Sequence, residues 1–66
     1  MEVFAERLKE LRIERGLGQV ALAKQLGVGK SVISLWEKWQ REPTLGNLIK
    51  IACFFGVSID YLAGLA

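Results

Sequence analysis

Apolar residues recur at helical spacing in short runs along this chain, and most runs end at a glycine or at the single proline. The first run places Phe4, Leu8 and Leu11 on one face of a helix that stops at Gly16. No stretch alternates apolar and polar residues for long enough to indicate a strand. The pattern therefore predicts an all-α fold in which short helices surround one core.

Two central helices are predicted next. One begins at Gln19 and ends at Gly27, because glycine readily takes the left-handed conformation of a tight turn. The other runs from about Lys30 to Trp39, and Pro43 prevents it from continuing. The segment from 19 to 39 thus forms a pair of short helices joined by a turn.

Thr44 and Ser58 are typical N-cap residues and predict a fourth and a fifth helix. The fourth helix ends at Gly56. Leu22, Ala23 and Leu26 mark one face of the second helix, and Ile33 and Trp36 are expected to point inward from the third. The fourth helix carries the apolar residues Leu45, Leu48, Ile51, Ala52 and Phe55, and the fifth carries Ile59 and Leu62. The complete prediction is one domain over residues 1–66, with five short helices.

The composition excludes several classes of protein. Cys53 is the one cysteine and histidine is absent, so we expect no internal disulfide, no zinc site and no Ser-His-Asp or Cys-His catalysis. The 66 residues can hardly enclose a substrate pocket. The longest uncharged stretch, 51–59, is far below the roughly 20 residues that span a membrane. We expect a soluble cytoplasmic protein that is not an enzyme and uses no cofactor, metal or small-molecule substrate.

Positive charge is concentrated in the middle of the sequence. The chain carries a net charge of +2. Residues 16–41 contain four cations, Lys24, Lys30, Lys38 and Arg41, against one acidic residue, Glu37. A basic segment can be merely a solvated face, or it can meet a polyanion such as nucleic acid.

The two central helices have residues suited to crossing at close range. Ala23 is small enough for close approach, Gly27 suits the turn, and Ile33 and Trp36 anchor the second helix in the core. This combination is the helix-turn-helix pattern. Together with Leu22, Leu26 and Val28 in register, it is fairly specific.

At this point the sequence resembles the compact five-helix DNA-binding domain of the phage-repressor and Cro type, which is also widespread in bacterial regulators. The resemblance covers nearly the whole chain. It runs through RLKELRIERGLGQ (7–19), LAKQLGV (22–28), ISLWEK (33–38), REPTL (41–45) and LIKIACFFGVSIDYLAGL (48–65).

The resemblance implies a lambda-repressor-like fold and a sequence-specific transcription regulator. A homodimer would place the helix from 30 to 39 in two major grooves of double-stranded DNA, about 34–36 Å apart. The positions that would face bases are Lys30, Ser31 and Leu35, and those that would contact phosphates are Gln19, Lys38 and Arg41. The last block resembles the dimer-forming end of such domains, with Tyr61, Leu62 and Leu65 as dimer contacts or as residues that only cap the monomer core.

Several positions depart from the family pattern, and nearly all of the changes remove polarity. The family usually has Ser or Thr at Gly18 and Gly29, a polar residue at Leu35 and glycine at Trp39. It also has polar residues at the positions of Val20, Ala21, Gly46 and Cys53. On a continuous helix Leu35 and Trp39 extend the apolar arc beyond what core packing needs. Cys53 is expected to be a small buried hydrophobe, or otherwise an exposed thiol that could crosslink two chains.

These departures support an alternative function, a protein-interaction or assembly module on the same scaffold, either natural or engineered. Trp39 is then an interface residue. It could instead fold back onto the core or contact the DNA backbone. An exposed Leu35 and Trp39 would favour a protein surface.

Overall fold

The computed structural model describes residues 2–66, which contain five α-helices and no strand. The helices are α1 (Glu2–Glu14), α2 (Gln19–Leu26), α3 (Lys30–Glu37), α4 (Leu45–Phe55) and α5 (Ile59–Ala63). The predicted all-α architecture of five short helices is confirmed. No helix within residues 2–66 reaches the length and apolarity needed to cross a bilayer.

One hydrophobic core receives side chains from all five helices. Its most deeply buried large side chains are Phe4, Leu8, Leu22, Ile33, Trp36, Ile51 and Leu62. The rings of Phe4 and Trp36 meet edge to face, with centroids 6.1 Å apart. This aromatic pair packs α1 directly against α3.

Side-chain caps start the last two helices where the sequence predicted them. The Asn47 N–H donates to Thr44 Oγ1 at 3.1 Å, and the Tyr61 N–H donates to Ser58 Oγ at 2.9 Å. Each cap satisfies one backbone donor that the first turn of a helix leaves without a partner. These bonds confirm both predicted N-caps.

The turn between α2 and α3 has the left-handed residue that the sequence predicted. Gly27 adopts φ 70°, and its N–H lies near the carbonyl oxygens of Ala23 and Lys24. Ala23 is only 3% exposed and Ile33 is fully buried. The small side chain of Ala23 thus belongs to the same buried cluster as Ile33, and the turn sets α3 against α2.

Helix α4 differs from the prediction at Cys53, which is exposed although it was expected to be buried. Leu45, one of the apolar residues predicted on this helix, is 68% exposed. Leu45, Ile49 and Cys53 recur every four residues and form a stripe on the outer side. The inner face of α4 instead consists of Leu48, Ile51, Ala52 and Phe55. With no other described helix covering the outer stripe, its apolar side chains remain accessible.

Candidate nucleic-acid interface

Helix α3 has one buried face and one accessible face. Ile33 and Trp36, three residues apart, are 0% and 1% exposed and hold the helix in the core. Lys30 and Ser31 lie in its first turn and are exposed, and Leu35, one turn beyond Ser31, is half-buried. The first turn of α3 therefore presents the polar residues, while Leu35 is half-buried and does not belong to the core cluster.

Glycine occupies the N-cap of both α2 and α3. Gly18 and Gly29 have extended backbone, with φ near −77° and −76°, and neither helix has a side-chain cap. The N–H groups of the first turns consequently have no capping side chain to accept their bonds. Such helix starts carry a partial positive charge that favours phosphate and other anions.

A nearly buried ion pair connects α3 to α1. Arg12 Nε donates to Glu37 Oε2 at 2.7 Å, and Arg12 Nη2 donates to Glu37 Oε1 at 3.0 Å. The two side chains are 12% and 5% exposed. Arg12 Nη1 also donates to the Leu17 carbonyl oxygen at 2.8 Å. The hydrogen bond to Glu37 and its negative charge raise the pKa of Arg12, against the opposing effect of burial.

This pair changes the charge that the middle of the chain presents. Glu37 is the only acidic residue between positions 16 and 41, and its carboxylate is occupied by an arginine from α1. Lys24, Lys30, Lys38 and Arg41 are all exposed. The surface of this segment is therefore more positive than its sequence indicates. The sequence offered no signal for the pairing, because the partners are 25 positions apart.

The side chain of Gln19 is held by the same carboxylate. Gln19 Nε2 donates to Glu37 Oε1 at 3.2 Å, and the residue is half-buried at the first position of α2. The amide has a second N–H that this bond does not use. Arg12, Gln19 and Glu37 thus form one polar network that fixes the start of α2 beside the end of α3.

Helix α3 is shorter than predicted and ends at Glu37. The Trp39 N–H bonds to the Trp36 carbonyl oxygen at 3.3 Å, and the Gln40 N–H bonds to the Leu35 carbonyl oxygen at 3.0 Å. This pair of bonds is the Schellman motif, in which the residue after the C-cap is left-handed. That residue is Trp39, at φ 65°. Trp39 therefore does not continue the apolar arc of α3, and it is 54% exposed.

The three residues predicted as dimer contacts near α5 differ in their exposure. Leu62 is 0% exposed and belongs to the monomer core, which supports the alternative that it caps the core over a role as a dimer contact. Tyr61 is half-buried beneath Arg7, whose Cζ lies 4.3 Å from the centroid of the Tyr61 ring. Arg7 also donates to the carbonyl oxygens of Tyr61 and Ala66. Leu65 is 79% exposed and stays available for an interface.

Two kinds of comparison identify relatives of this arrangement. A family model described as "Helix-turn-helix" matches residues 8–62. Among solved structures, the P22 c2 repressor in complex with a synthetic operator superposes with a TM-score of 0.86 and 34% identity, covering 94% of both chains. The restriction-modification controller protein C.AhdI from Aeromonas hydrophila gives a TM-score of 0.82 and 34% identity, covering 92% of both chains.

Curated relatives include both a repressor and an activator. The cryptic phage CTXphi transcriptional repressor RstR of Vibrio cholerae is 39% identical over 91% of this chain and 54% of its own length. The transcriptional activator BcrR of Enterococcus faecalis is 42% identical over 89% of this chain and 29% of its own length. The chain spans about half or less of the length of these two relatives. Its matched residues, its five helices and its similarity to the P22 c2 structure together show that it belongs to the helix-turn-helix family of the phage-repressor and Cro type.

Proposed function

We propose that this chain is a DNA-binding domain of a transcription regulator that acts in the cytoplasm, with α3 as its recognition helix. The observation that carries the proposal is the exposed, uncapped first turn of α3, where Lys30 and Ser31 stand clear of the core. Lysine can donate to guanine and serine can pair with several bases. Leu35 supplies an apolar contact for a thymine methyl group. The proposal includes no catalytic step.

Phosphate contacts supply most of the affinity in this proposal. Lys38 and Arg41 follow α3 directly, and both are exposed. Gln19 is oriented by its bond to Glu37 and begins a helix without a side-chain cap. The free N–H groups at such a helix start can donate to a phosphate oxygen. The solved complex of the P22 c2 repressor with its operator supports the same use of this fold.

The domain acts as a homodimer in this proposal. Two copies related by two-fold symmetry place two recognition helices about one DNA turn apart, which a single domain cannot do. Leu65 is a candidate contact because it is 79% exposed beside Tyr61, and the outer stripe of α4 adds Leu45 and Ile49 at 68% and 44% exposure. Because Leu62 is buried, its role is to pack α5 into the monomer core.

The alternative of a protein-interaction module keeps only part of its support. It rests on an exposed Leu35 and Trp39, of which Trp39 is 54% exposed and Leu35 is half-buried. Helix α3 ends at Glu37, Leu35 is half-buried, and Trp39 lies in the following turn. DNA binding is therefore the function that the geometry favours.

The salt dependence of binding tests the proposal. Fluorescence anisotropy with a pool of random duplexes should give a Kd that weakens steeply as salt rises. If Lys38 and Arg41 of both protomers neutralise phosphates, the slope of log K against log salt is about −3.6 or steeper. No binding at low salt, at protein concentrations above the ~10⁻⁴ M limit for non-specific contact, would contradict the proposal.

A matched pair of variants locates the interface. Lys38→Gln and Lys50→Gln each remove one exposed positive charge, the first beside α3 and the second on α4. Lys38→Gln should weaken binding and reduce the magnitude of the slope by about 1 per protomer. Lys50→Gln should have a much smaller effect. Equal effects would place the DNA elsewhere, or show that net charge alone is responsible.

A further inference from the structure

Trp39 occupies a backbone conformation that disfavours its side chain. Its φ of 65° is positive, and every other residue with positive φ among positions 2–66 is a glycine. For a bulky L residue the left-handed region is a true outlier, since Cβ crowds the backbone there. The Schellman bonds to Trp36 and Leu35 hold Trp39 in this state. Glycine would end the helix with less strain.

About half of this indole remains in solvent. Trp39 is 54% exposed, whereas Trp36, the other tryptophan, is 1% exposed and part of the core. Within residues 2–66 no hydrogen bond or aromatic contact involves the indole of Trp39. A strained backbone beneath a half-exposed ring points to a role in binding and not in packing alone.

The length of α3 allows Trp39 to lie near the wall of the major groove in the proposed complex. A helix of eight residues is about 12 Å long, at 1.5 Å per residue, and the major groove is about 12 Å wide. If the first turn of α3 meets the base edges and the helix crosses the groove, its other end comes close to the sugar-phosphate backbone.

The charges beside Trp39 favour DNA over a protein as its partner. Lys38 precedes it, Arg41 follows two residues later, and both are exposed. Lysine is depleted at the centre of protein interfaces, and burial of the Lys38 cation without a partner would be costly. A polyanion needs such cations, and an indole between them adds an apolar surface and one N–H donor.

We propose that Trp39 packs its ring on a deoxyribose of the bound duplex and directs its Nε1–H to a backbone phosphate. The contact adds affinity without sequence preference, as contacts to the backbone generally do. This inference rests on the proposed function. It assigns Trp39 to DNA rather than to a protein interface.

Three variants separate the ring from the backbone strain. Trp39→Gly and Trp39→Asn remove the ring and tolerate the left-handed conformation, whereas Trp39→Phe keeps a ring and the strain. We expect the Gly and Asn variants to unfold a few degrees higher than the parent protein, because strain is relieved. The same two variants should bind random duplex about tenfold more weakly. Trp39→Phe keeps a ring but has no Nε1–H donor, so its affinity should lie between those of the parent and the Gly variant.

The outcomes of this experiment are distinct. Parent and Trp39→Gly proteins that bind DNA equally would overturn the inference and leave the proposed function standing. So would a Trp39→Gly protein that loses self-association in sedimentation equilibrium but keeps its affinity per dimer, because Trp39 would then lie at the interface between copies. Absence of DNA binding by the parent protein would overturn both proposals.

Acrylamide quenching gives a second, direct test. Because Trp36 is buried, quenching of the parent protein reports mainly on Trp39, and the Trp39→Phe protein supplies the Trp36 baseline. Saturating DNA should lower the quenching constant of the parent toward that baseline. A constant that DNA leaves unchanged would show that Trp39 stays in solvent, against the inference.

Discussion

Arg12 and Glu37 form a two-bond ion pair that joins α1 to α3, with N–O distances of 2.7 and 3.0 Å. Both side chains are nearly buried. The carboxylate also accepts a bond from Gln19, so one acidic group connects the three helices α1, α2 and α3. The pair orients α3 and also neutralises the only negative charge of residues 16–41.

Removal of one partner should destabilise the domain strongly. Arg12→Met leaves the Glu37 carboxylate without its cation in a nearly buried site, and such losses cost about 3–5 kcal/mol. Arg12→Lys should also be destabilising, because an ammonium cannot form the same parallel bonds. Urea unfolding followed by circular dichroism measures both effects.

A double variant and a surface control complete this test. Arg12→Met combined with Glu37→Met should be less destabilised than the sum of the two single variants, because no charge remains unpaired. Lys9→Gln changes an exposed residue on α1 and should alter stability by no more than about 0.5 kcal/mol. Strict additivity of the Arg12 and Glu37 effects would show that the pair has no energetic coupling.

The same substitution at two glycines should have opposite effects on stability. At Gly18 the backbone is extended and no atom lies within 4 Å of an added Cβ, so Gly18→Ser can cap α2. We expect a gain of about 0.5–1 kcal/mol from the cap and from a less flexible unfolded chain. Gly27→Ser meets no clash either, but φ 70° makes it strained, and a loss of at least about 1 kcal/mol is expected. Thermal unfolding of both variants checks the signs, and a stabilised Gly27→Ser protein would contradict the argument.

Truncation of two leucines near the end of the chain should have very different effects on stability. Leu62 is 0% exposed, so Leu62→Ala should cost about 2–5 kcal/mol through lost burial and a cavity. Leu65 is 79% exposed, so Leu65→Ala should change monomer stability by no more than about 0.5 kcal/mol. Chemical unfolding at low protein concentration measures this contrast. If Leu65 also serves the dimer, sedimentation equilibrium of Leu65→Ala should show weaker self-association with unchanged folding.

Lys30 should control sequence preference, unlike the phosphate-contacting cations. Lys30→Met keeps the length of the side chain but removes its donors, and we expect it to lose about 1–3 kcal/mol of discrimination at one base pair. The measurement is anisotropy competition on single-base-pair variants of a selected operator. Lys38→Gln is the comparison, since it should weaken all duplexes alike. If Lys30→Met weakens binding to all duplexes equally, Lys30 contacts the DNA backbone rather than a base.

Local signals were sufficient for most of the fold. The helical spacing of apolar residues, the caps at Thr44 and Ser58 and the turn at Gly27 depend on neighbours only a few residues away. Short stretches of sequence therefore determine these features. The same spacing predicted the start of a helix at about Lys30, whereas the base-facing positions of Lys30 and Ser31 followed only from the family resemblance.

Packing between distant segments decided the remaining features. Arg12 and Glu37 meet only because α1 and α3 cross, and Leu62 is buried while Leu65 is exposed because of where α5 meets the rest of the core. Leu45 and Cys53 are apolar in type but lie on the uncovered side of α4. The spacing of side chains along a helix depends on the local backbone, whereas the burial of each side chain depends on elements far away in the sequence. Helix formation could therefore be predicted from the residues, and the charge and exposure of the candidate DNA surface required the tertiary structure.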